Sequence, residues 1–500
     1  YDQDSAGSGE VVGTIDPIKS ETEAVTLVKT LNNYTFVYNA KTTGAVLSPD
    51  FGQLPAGTLD YYLSTSGSYY ITESGKRFNA SDASLVDGCG FGENKLYVRS
   101  VGTTGGDSYI KIQLDDKVSY NVETVGNSYY TAYDGDYNVD NFTATHVYVT
   151  FDNVTSVTKL PSFEYNLVFS AGKWETVNVN GVPKFRLVLQ LRQPGVFMGS
   201  GAYYDSEGCL ILTFQVPTNL ISNLNIVIDP GHGYGVSADK FDPGAIGHVT
   251  EQKVNLAVAK QLTAQLKALG VNAVRLQTES SFLLSASRPT YARQYGCDLY
   301  ISLHSNKVTT NSDARGVEVY YFTPYSQPLA AAISAEIANY YQYNVYSDGA
   351  NKNRGAKYSY YWVTEQQDFP SVLVEMGFVS NLEDAMALAD SDHQAGIAKA
   401  IINGINTYLS RSSISYSTNG NDSAGNGGGT ATEPAETTAP EDTSEPAETT
   451  TGTTDENDAL PDDEPQETIP TTDDVTPDDG EEIPDDGDDT SGIESDTYDA

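Results

Sequence analysis

Two histidines and two glutamates stand where predicted strands and helices begin or end. His232 and His304 each follow a short apolar run that is typical of a buried strand. Glu251 opens a helical pattern, and Glu375 stands at the end of another apolar run. Ligands bind at the carboxyl ends of the strands in open α/β sheets, so these side chains can converge on one point. Two neutral imidazoles and one carboxylate leave a tetrahedral Zn²⁺ an open position for water, whose proton a second carboxylate can accept.

The pattern that positions these residues begins after the linker at 216–219, where strands start to alternate with helices. This alternation predicts an α/β domain over residues 218–410, with a mostly parallel central sheet and helices on both faces. The predicted strands are 225–229, 271–276, 298–304, 316–322 and 371–376, and the predicted helices are 251–269, about 288–295, about 327–343 and about 392–409. Spacing alone leaves the metal site one hypothesis among others, since scattered His and Glu are common and no HExxH helix is present.

Residues 26–217 have a different pattern. They contain many short strand-like runs that are separated by Gly, Asn, Asp and Ser turns. The pattern predicts an all-β, sandwich-like accessory region, which we expect to attach to a wall polymer rather than to carry chemistry. A division into two subdomains near residues 127–140 is one reading of its turn-rich middle. Residues 1–25 are polar and rich in Gly and Ser at the start, so we expect a flexible N-terminus.

The acidic charge is concentrated at the C-terminus. After Arg411, the last basic residue, the sequence contains 27 of its 68 acidic residues, so this segment carries −27 of the net charge of −40. Residues 411–500 are rich in Thr, Pro, Glu and Asp, a composition that predicts a disordered acidic tail. The rest of the chain shows no basic footprint for nucleic acid and no run of the ~18 apolar residues that a membrane span needs.

Three cysteines, Cys89, Cys209 and Cys297, are an odd set without CxxC spacing. This spacing argues against a zinc ribbon or a disulfide scaffold. A Cys89–Cys209 disulfide stays open at this stage, whereas the apolar flanks of Cys297 predict a buried thiol.

Five motifs in order resemble the catalytic domain of zinc-dependent N-acetylmuramoyl-L-alanine amidases, the amidase-3 family. They are DPGHG (229–233), DPGAIG (242–247), EQKVNL (251–256), SLHSN (302–306) and LVEMGFVSN (373–381). The resemblance covers about residues 224–410 and does not extend to the β-rich region. It implies an α/β fold, zinc ligation by His232, Glu251 and His304, and Glu375 as the catalytic carboxylate. The substrate it implies is peptidoglycan, cleaved at the amide between the lactyl group of muramic acid and L-alanine of the stem peptide.

The resemblance also places Arg288, Asn306 and Arg354 at recurrent family positions, so we take them as candidate substrate-binding residues. It implies a secreted or cell-wall-associated bacterial protein, and a chain that begins at Tyr1 is compatible with removal of a signal peptide. Oligomeric state is not readable from the sequence. Two alternatives stay open, namely a catalytically inactive wall-binding protein of the same fold and a zinc carboxypeptidase that acts on stem peptides.

The sequence also suggests roles for three loop residues near the motifs. His248 could reach the metal but looks like part of a loop tip. Asp229 is expected to orient His232, because metal-binding histidines usually donate their second ring N–H to an acceptor. Asp242 is expected to be solvated.

Overall fold

The computed structural model describes residues 3–39, 52–126, 128–131, 137–234, 241–277, 283, 287–309, 313–359 and 361–412. Contacts divide the chain into two units, residues 1–423 and 424–500, and all the described residues belong to the first. The predicted disordered tail lies, from residue 413 onward, outside the described residues.

The N-terminal half is built of β-strands throughout its described residues. The strands are β1 (Gln3–Ala6), β2 (Val11–Thr14), β3 (Ala24–Thr30), β4 (Thr35–Asn39), β5 (Gly52–Leu54), β6 (Leu59–Ser66), β7 (Tyr69–Thr72), β8 (Lys76–Asn79), β9 (Ala83–Cys89), β10 (Lys95–Thr104), β11 (Asp107–Leu114), β12 (Tyr120–Val125), β13 (Ser128–Thr131), β14 (Tyr137–Asn141), β15 (His146–Phe151), β16 (Ser156–Thr158), β17 (Phe169–Val179), β18 (Val182–Leu191), β19 (Ser200–Tyr204) and β20 (Leu210–Gln215).

Two of its sheets pack face to face. One has the order β19-β20-β11-β10-β16-β2, with β1 added beside β10, and the other has the order β12-β15-β18-β17. Burial alternates along β11, so one side of this strand faces the interior, and most residues of β18 from Lys184 onward are buried. Phe169 of β17 meets Phe214 of β20 edge to face, with ring centroids 4.7 Å apart. The all-β region that the sequence predicts is confirmed, and side chains of these two sheets meet in its core.

A further sheet is formed by β3 to β9, in the order β5-β4-β8-β7-β6-β3-β9. It is inserted between β2 and β10, which both belong to the first sheet of the sandwich. The expected division near residues 127–140 is wrong, because β11 before this stretch pairs with β20 after it. The stretch instead contains the paired strands β13 and β14, and its Gly, Asn and Asp residues resemble a domain boundary in the sequence.

The expectation of a flexible N-terminus is also wrong for most of residues 3–14. Strand β1 pairs with β10 from Gln3↔Thr103 to Ala6↔Ser100, and β2 pairs with β16. These strands are held by backbone hydrogen bonds, which any sequence can make, so a polar composition gave no sign of them.

The C-terminal half alternates strands and helices. Its strands are β21 (Asn225–Pro230), β22 (Gly233–Tyr234), β23 (Phe241–Asp242), β24 (Asn272–Arg275), β25 (Leu299–Asn306), β26 (Val317–Tyr321), β27 (Asn353–Tyr358) and β28 (Ser371–Phe378), and its helices are α1 (Glu251–Ala268), α2 (Arg288–Gln294), α3 (Gln327–Asn344), α4 (Leu382–Ala389) and α5 (Ser391–Leu409).

Its central sheet has the order β24-β21-β25-β28-β26-β27 and is mixed. Strand β21 is parallel to both of its neighbours, and β25 is parallel to β28, whereas β26 runs antiparallel to β28. The predicted mostly parallel sheet therefore has one antiparallel pairing in its described residues. The parallel strands β21 and β25 bring His232 and His304 to the same edge.

The sheet is covered on both faces. Ile226 and Ile228 belong to the main buried core with apolar residues of α1 and α5, whereas Val227 packs with Ala292 of α2 and with Phe369 in a separate cluster. Among the described helices, none combines the length and the apolar character that crossing a membrane needs.

The two halves are in direct contact. Phe197 meets Tyr325 edge to face, with ring centroids 5.2 Å apart, and the backbone N–H of Ser200 donates to Gln367 O over 2.7 Å. Arg411 donates through Nη2 to the carbonyl oxygen of Gly195. The three cysteines are free thiols, so the disulfide left open above is not formed.

Candidate metal centre and active site

The turn after β21 aims His232 at the sheet edge. His232 has a φ of +66°, which is uncommon for a residue other than Gly. Its carbonyl oxygen accepts a hydrogen bond from Arg288 Nη2 over 2.9 Å, and Arg288 Nη1 donates to Pro230 O over 3.0 Å. The same guanidinium pairs with Asp229 Oδ1 over 2.5 Å. Arg288 is buried and braces the His232 turn through these contacts, and its predicted role in substrate binding stays a prediction.

Glu251, the first residue of α1, joins the two histidines. Its Oε1 atom lies 3.0 Å from His232 Nε2 and 3.0 Å from His304 Nδ1. Nitrogen and oxygen donors of these three residues all lie within 4.8 Å of one another. The structure thus brings together the three residues that the sequence predicts as metal ligands.

The carboxylate of Glu251 is fixed by backbone donors. Its Oε2 accepts from Ala245 N over 2.7 Å, and its Oε1 accepts from Ser305 N over 3.1 Å. Burial alone would raise the pKa of Glu251, but hydrogen bonds and charges from His232 and His304 lower it. Burial conversely lowers the pKa of His232, and the hydrogen bonds and charges of Glu251 and Asp242 outweigh burial and raise it to about 9. Both shifts have one physical cause, the close approach of the imidazoles to the carboxylates of Glu251 and Asp242.

Asp242 is exposed, as expected, and it is also the residue that orients His232. Its Oδ2 lies 2.7 Å from His232 Nδ1, which leaves Nε2 turned toward Glu251. The pairing of β22 with β23 brings Asp242 opposite Gly233. Asp229, to which sequence reasoning gave this role, instead accepts from Arg288, Tyr300 and Ser302. The sequence spacing of ten residues carries no signal for this contact, because it depends on the hairpin.

Two glycines make room for the cluster. A Cβ atom on Gly231 would lie 2.2 Å from the imidazole of His304. A Cβ atom on Gly244 would lie 2.5 Å from His232 Cδ2 and 2.7 Å from Glu251 Oε2, and the φ of Gly244 is +63°. Only glycine allows the backbone to approach the three side chains this closely.

The donor set fits zinc. Two histidine nitrogens and a carboxylate oxygen are ligands that catalytic zinc sites use, with the fourth position left for water or substrate. Ligands at ~2.1 Å from a tetrahedral ion lie roughly 3.4 Å from one another, which is close to the observed spacing. Metal-binding histidines usually donate their other ring N–H to an acceptor, and for His232 Nδ1 this acceptor is Asp242.

His248 is not part of this cluster. It is exposed, and its backbone N–H donates to Val379 O over 2.8 Å. Within the described residues, the group of metal-binding side chains at this edge consists of His232, Glu251 and His304.

Glu375 stands beside the cluster on the next strand. In the pairing of β25 with β28 it lies directly opposite His304. Its Oε2 atom is buried and has no hydrogen-bond partner among the described residues. Burial raises its pKa well above the usual range, the charges of Glu251 and Glu318 add to this, and Lys357 opposes it. A carboxyl group in this state is suited to exchanging protons with a reacting group.

Asn306 and Arg354 both donate hydrogen bonds to Glu318, a residue that the sequence analysis did not identify. Asn306 Nδ2 donates to Glu318 Oε1 over 2.7 Å, and Arg354 Nε donates to Oε2 over 2.6 Å. Tyr320 and Lys357 also donate to this buried carboxylate. Glu318 lies opposite Glu375 in the antiparallel pairing of β26 with β28. A charged residue between apolar ones in GVEVYYF was the available signal.

Comparison with known proteins finds similarity in the C-terminal half of the chain. The sequence profile of the family described as N-acetylmuramoyl-L-alanine amidase (amidase-3) matches residues 226–407. YqiI of Bacillus subtilis, an uncharacterized protein, is 33% identical over 189 residues, which are 38% of this chain and 86% of YqiI. The N-acetylmuramoyl-L-alanine amidase LytC of Bacillus subtilis is 33% identical over 191 residues, 38% of this chain and 36% of LytC. The chain thus spans only about a third of the length of LytC.

Among solved structures, the N-acetylmuramoyl-L-alanine amidase AmiC2 of Nostoc punctiforme is 33% identical, with a TM-score of 0.33, over 38% of this chain and 98% of that one. The matched family segment begins within β21 and ends within α5, so it contains His232, Glu251, His304 and Glu375. Through residues 226–407, this chain belongs to the N-acetylmuramoyl-L-alanine amidase family, amidase-3.

Proposed function

We propose that this protein is a peptidoglycan hydrolase that cleaves the amide between N-acetylmuramic acid and L-alanine of the stem peptide. The observation that carries the proposal is the convergence of His232, Glu251 and His304 on one point, with Glu375 directly opposite His304. Family membership supplies the bond that such a site would cleave.

His232, Glu251 and His304 would hold one Zn²⁺ ion. When bound, zinc would polarise the scissile carbonyl and lower the pKa of a water molecule at the site. Asp242 would hold the His232 ring through Nδ1, and Arg288 would keep the preceding turn in place. These contacts fix the donors before substrate arrives, which is how active sites avoid reorganisation during the reaction.

Glu375 would accept the proton of the attacking water and pass it to the leaving nitrogen of L-alanine. Its buried, unpartnered Oε2 and its place one strand from His304 support this role. Because general acid–base groups contribute ~10²–10⁴-fold, Glu375→Gln should lower turnover by about that factor. Gln keeps the size of Glu but cannot accept the proton, so zinc content should remain unchanged.

The test measures release of stem peptide with a free N-terminal alanine from purified peptidoglycan, by mass spectrometry. Activity should disappear with a chelator and return with Zn²⁺. Glu164→Gln is a matched control, because Glu164 is exposed in the β-rich half and takes no part in the site. A Glu375→Gln variant without zinc would make Glu375 a ligand, and one with zinc and full turnover would remove it from the mechanism.

The two alternatives give different products. A zinc carboxypeptidase would release a single C-terminal amino acid and leave the muramoyl amide intact. An inactive wall-binding protein would bind peptidoglycan without releasing either product. The complete donor set and Glu375 favour the enzyme over the second alternative.

The domain arrangement and location are also proposals. Residues 26–217 would add affinity for a wall polymer, and residues 218–410 would carry the chemistry. A peptidoglycan substrate requires a secreted or cell-wall-associated bacterial protein, in keeping with relatives such as LytH of Staphylococcus aureus, described as a probable cell wall amidase.

A further inference from the structure

Two cations lie at the edge of the site beyond Glu375. Lys357 Nζ and Arg354 Nε both donate to Glu318 Oε2, over 2.5 Å and 2.6 Å. Glu318 is buried, whereas the side chains of Lys357 and Arg354 are 37% and 39% exposed. Two positive charges against one carboxylate leave a surplus of one positive charge that faces solvent.

The cations are held in place by more than Glu318. Arg354 lies over the ring of Phe378, 5.0 Å from its centroid, and Lys357 Nζ lies 5.9 Å from the centroid of Tyr320. Aromatic faces attract cations and limit the positions they occupy. The surplus charge is therefore at a defined place, as a binding site for an anion requires.

The order of the strands gives the distance between these two cations and the scissile bond. His304 on β25, Glu375 on β28 and Glu318 on β26 occupy three adjacent strands in register. Neighbouring strands lie ~4.8 Å apart, so the cations that converge on Glu318 lie roughly 5–10 Å beyond the point where the carbonyl would react.

The leaving peptide carries an anion at about this distance. In peptidoglycan, L-alanine is followed by a D-glutamate joined through its γ-carboxyl group, so the α-carboxyl group remains as a branch that is either free or amidated. Two residues of extended peptide span at most ~7 Å, so this branch can reach the cations when the alanine amide is at the metal site and the stem runs toward β26.

We propose that Lys357, supported by Arg354, binds the free α-carboxylate of the second stem residue and makes the enzyme prefer stems with this carboxylate over amidated stems. The inference rests on the proposed amidase function and adds a specificity determinant to it. A carboxylate can accept a charge-assisted hydrogen bond from the Lys357 ammonium, whereas a carboxamide offers no charge in return.

The experiment compares two synthetic N-acetylmuramoyl tripeptides that differ only in having a carboxylate or a carboxamide at this branch. The zinc-loaded full chain should show a kcat/KM about tenfold higher for the carboxylate. Lys357→Met should lower the ratio of kcat/KM on the carboxylate to kcat/KM on the carboxamide from about ten to about one, mainly through KM, because any effect of the lost charge on Glu375 is common to both substrates. Lys357→Arg should keep most of the preference. Lys352→Met, on the exposed approach to β27, should match the wild type on both substrates.

The remaining outcomes distinguish a failure of the carboxylate inference from a failure of the amidase proposal. Equal hydrolysis of both peptides by the wild type, or equal losses on both in Lys357→Met, overturns this inference and leaves the amidase proposal standing. Failure of the wild type to hydrolyse either peptide overturns the amidase proposal. Zinc content and thermal unfolding of each variant show that a loss is not a loss of folding.

Discussion

The indole ring of Trp362 lies against the phenyl ring of Phe36, with ring centroids 4.8 Å apart. This contact joins a loop of the α/β half to strand β4 of the β-rich half. The neighbouring Tyr361 meets Tyr320 edge to face at 5.2 Å, and the Tyr320 hydroxyl donates to Glu318. The β-rich half therefore supports the loop that borders the active site.

Removing residues 1–217 should lower activity, contrary to what the sequence suggests. A β-rich region without catalytic motifs leads one to expect that the α/β half works alone at full rate. The contacts of Phe36 with Trp362 and of Phe197 with Tyr325 would be lost, however, and apolar surface of the α/β half would face water. We expect a lower kcat/KM on a soluble muropeptide, which needs no wall binding. Full activity of residues 218–412 would show that the loop is positioned without the β-rich half.

A point substitution tests the same contact in the intact chain. Phe36→Ala should lower the free energy of unfolding by about 3 kcal/mol, since Phe36 is buried. Urea unfolding measures the loss. Leu63→Ala is the control within the same sheet, because Leu63 is exposed and its truncation should cost less than about 0.5 kcal/mol.

Asp242→Asn should weaken zinc binding about 10–100-fold, the usual cost of changing a partner of a metal-binding histidine. The carboxylate holds the His232 ring through Nδ1, and an amide does so less strongly. Competition with a zinc-binding dye measures the affinity. Asp87→Asn, at an exposed position of β9, should bind zinc as tightly as the wild type. Unchanged affinity in Asp242→Asn would remove Asp242 from the site.

Gly244→Ala should disrupt the metal centre. The new Cβ atom would lie 2.5 Å from His232 Cδ2 and 2.7 Å from Glu251 Oε2, so both donors would have to move. Gly349→Ala is a matched control, because Gly349 has the same φ of +63° and no heavy atom within 4 Å. The control should cost only the backbone strain of about 1–2 kcal/mol. We expect zinc affinity to fall at least tenfold (about 1.4 kcal/mol) in Gly244→Ala only.

Glu365 should make the protein less stable as pH rises. Burial raises the pKa of Glu365 to about 7 in the folded protein. A carboxyl group with a raised pKa keeps its proton to a higher pH in the folded state than in the unfolded state. Its contribution to the free energy of unfolding is therefore complete below pH ~4.5 and is lost as pH rises through 7. Glu365→Gln stays neutral, so at pH 8 it should be more stable than the wild type by up to about 3 kcal/mol.

At pH 4.5 the stabilities of Glu365→Gln and the wild type should differ little. Urea unfolding at the two pH values measures the difference. Glu164→Gln, at an exposed position of the β-rich half, should follow the wild type at both. A difference for Glu365→Gln that does not grow with pH would contradict the assignment.

The helix and strands that position the metal donors were predictable, because each combines a clear spacing of apolar residues with residues that end the element. The helix expected at 251–269 is α1, Glu251–Ala268, and the strand expected at 371–376 is within β28. Strand β27 was missed because NRGAKY is a half-exposed edge strand without an apolar run. Helix α4 was missed although its cap is visible in the sequence, where the Asn381 side chain accepts from Glu383 N and Asp384 N.

The partners of the arginines could not be predicted in the same way. The resemblance implied a substrate-binding role for both Arg288 and Arg354, and in the structure the first pairs with Asp229 and the second with Glu318. Which carboxylate an arginine meets depends on strand register and on which face of the sheet is covered. These are properties of tertiary packing that no spacing within one segment encodes.

The pairing of β20 with β11 has a consequence for synthesis on the ribosome. Once Gln215 has emerged, every described sheet of the N-terminal half has all of its strands, while Trp362 and Glu375 are still to be added. At roughly 5–20 residues per second, the ribosome needs about 7 to 30 seconds to reach them. The nascent α/β half therefore emerges next to a partner that has had time to fold, and its Trp362 loop meets Phe36 as a preformed surface.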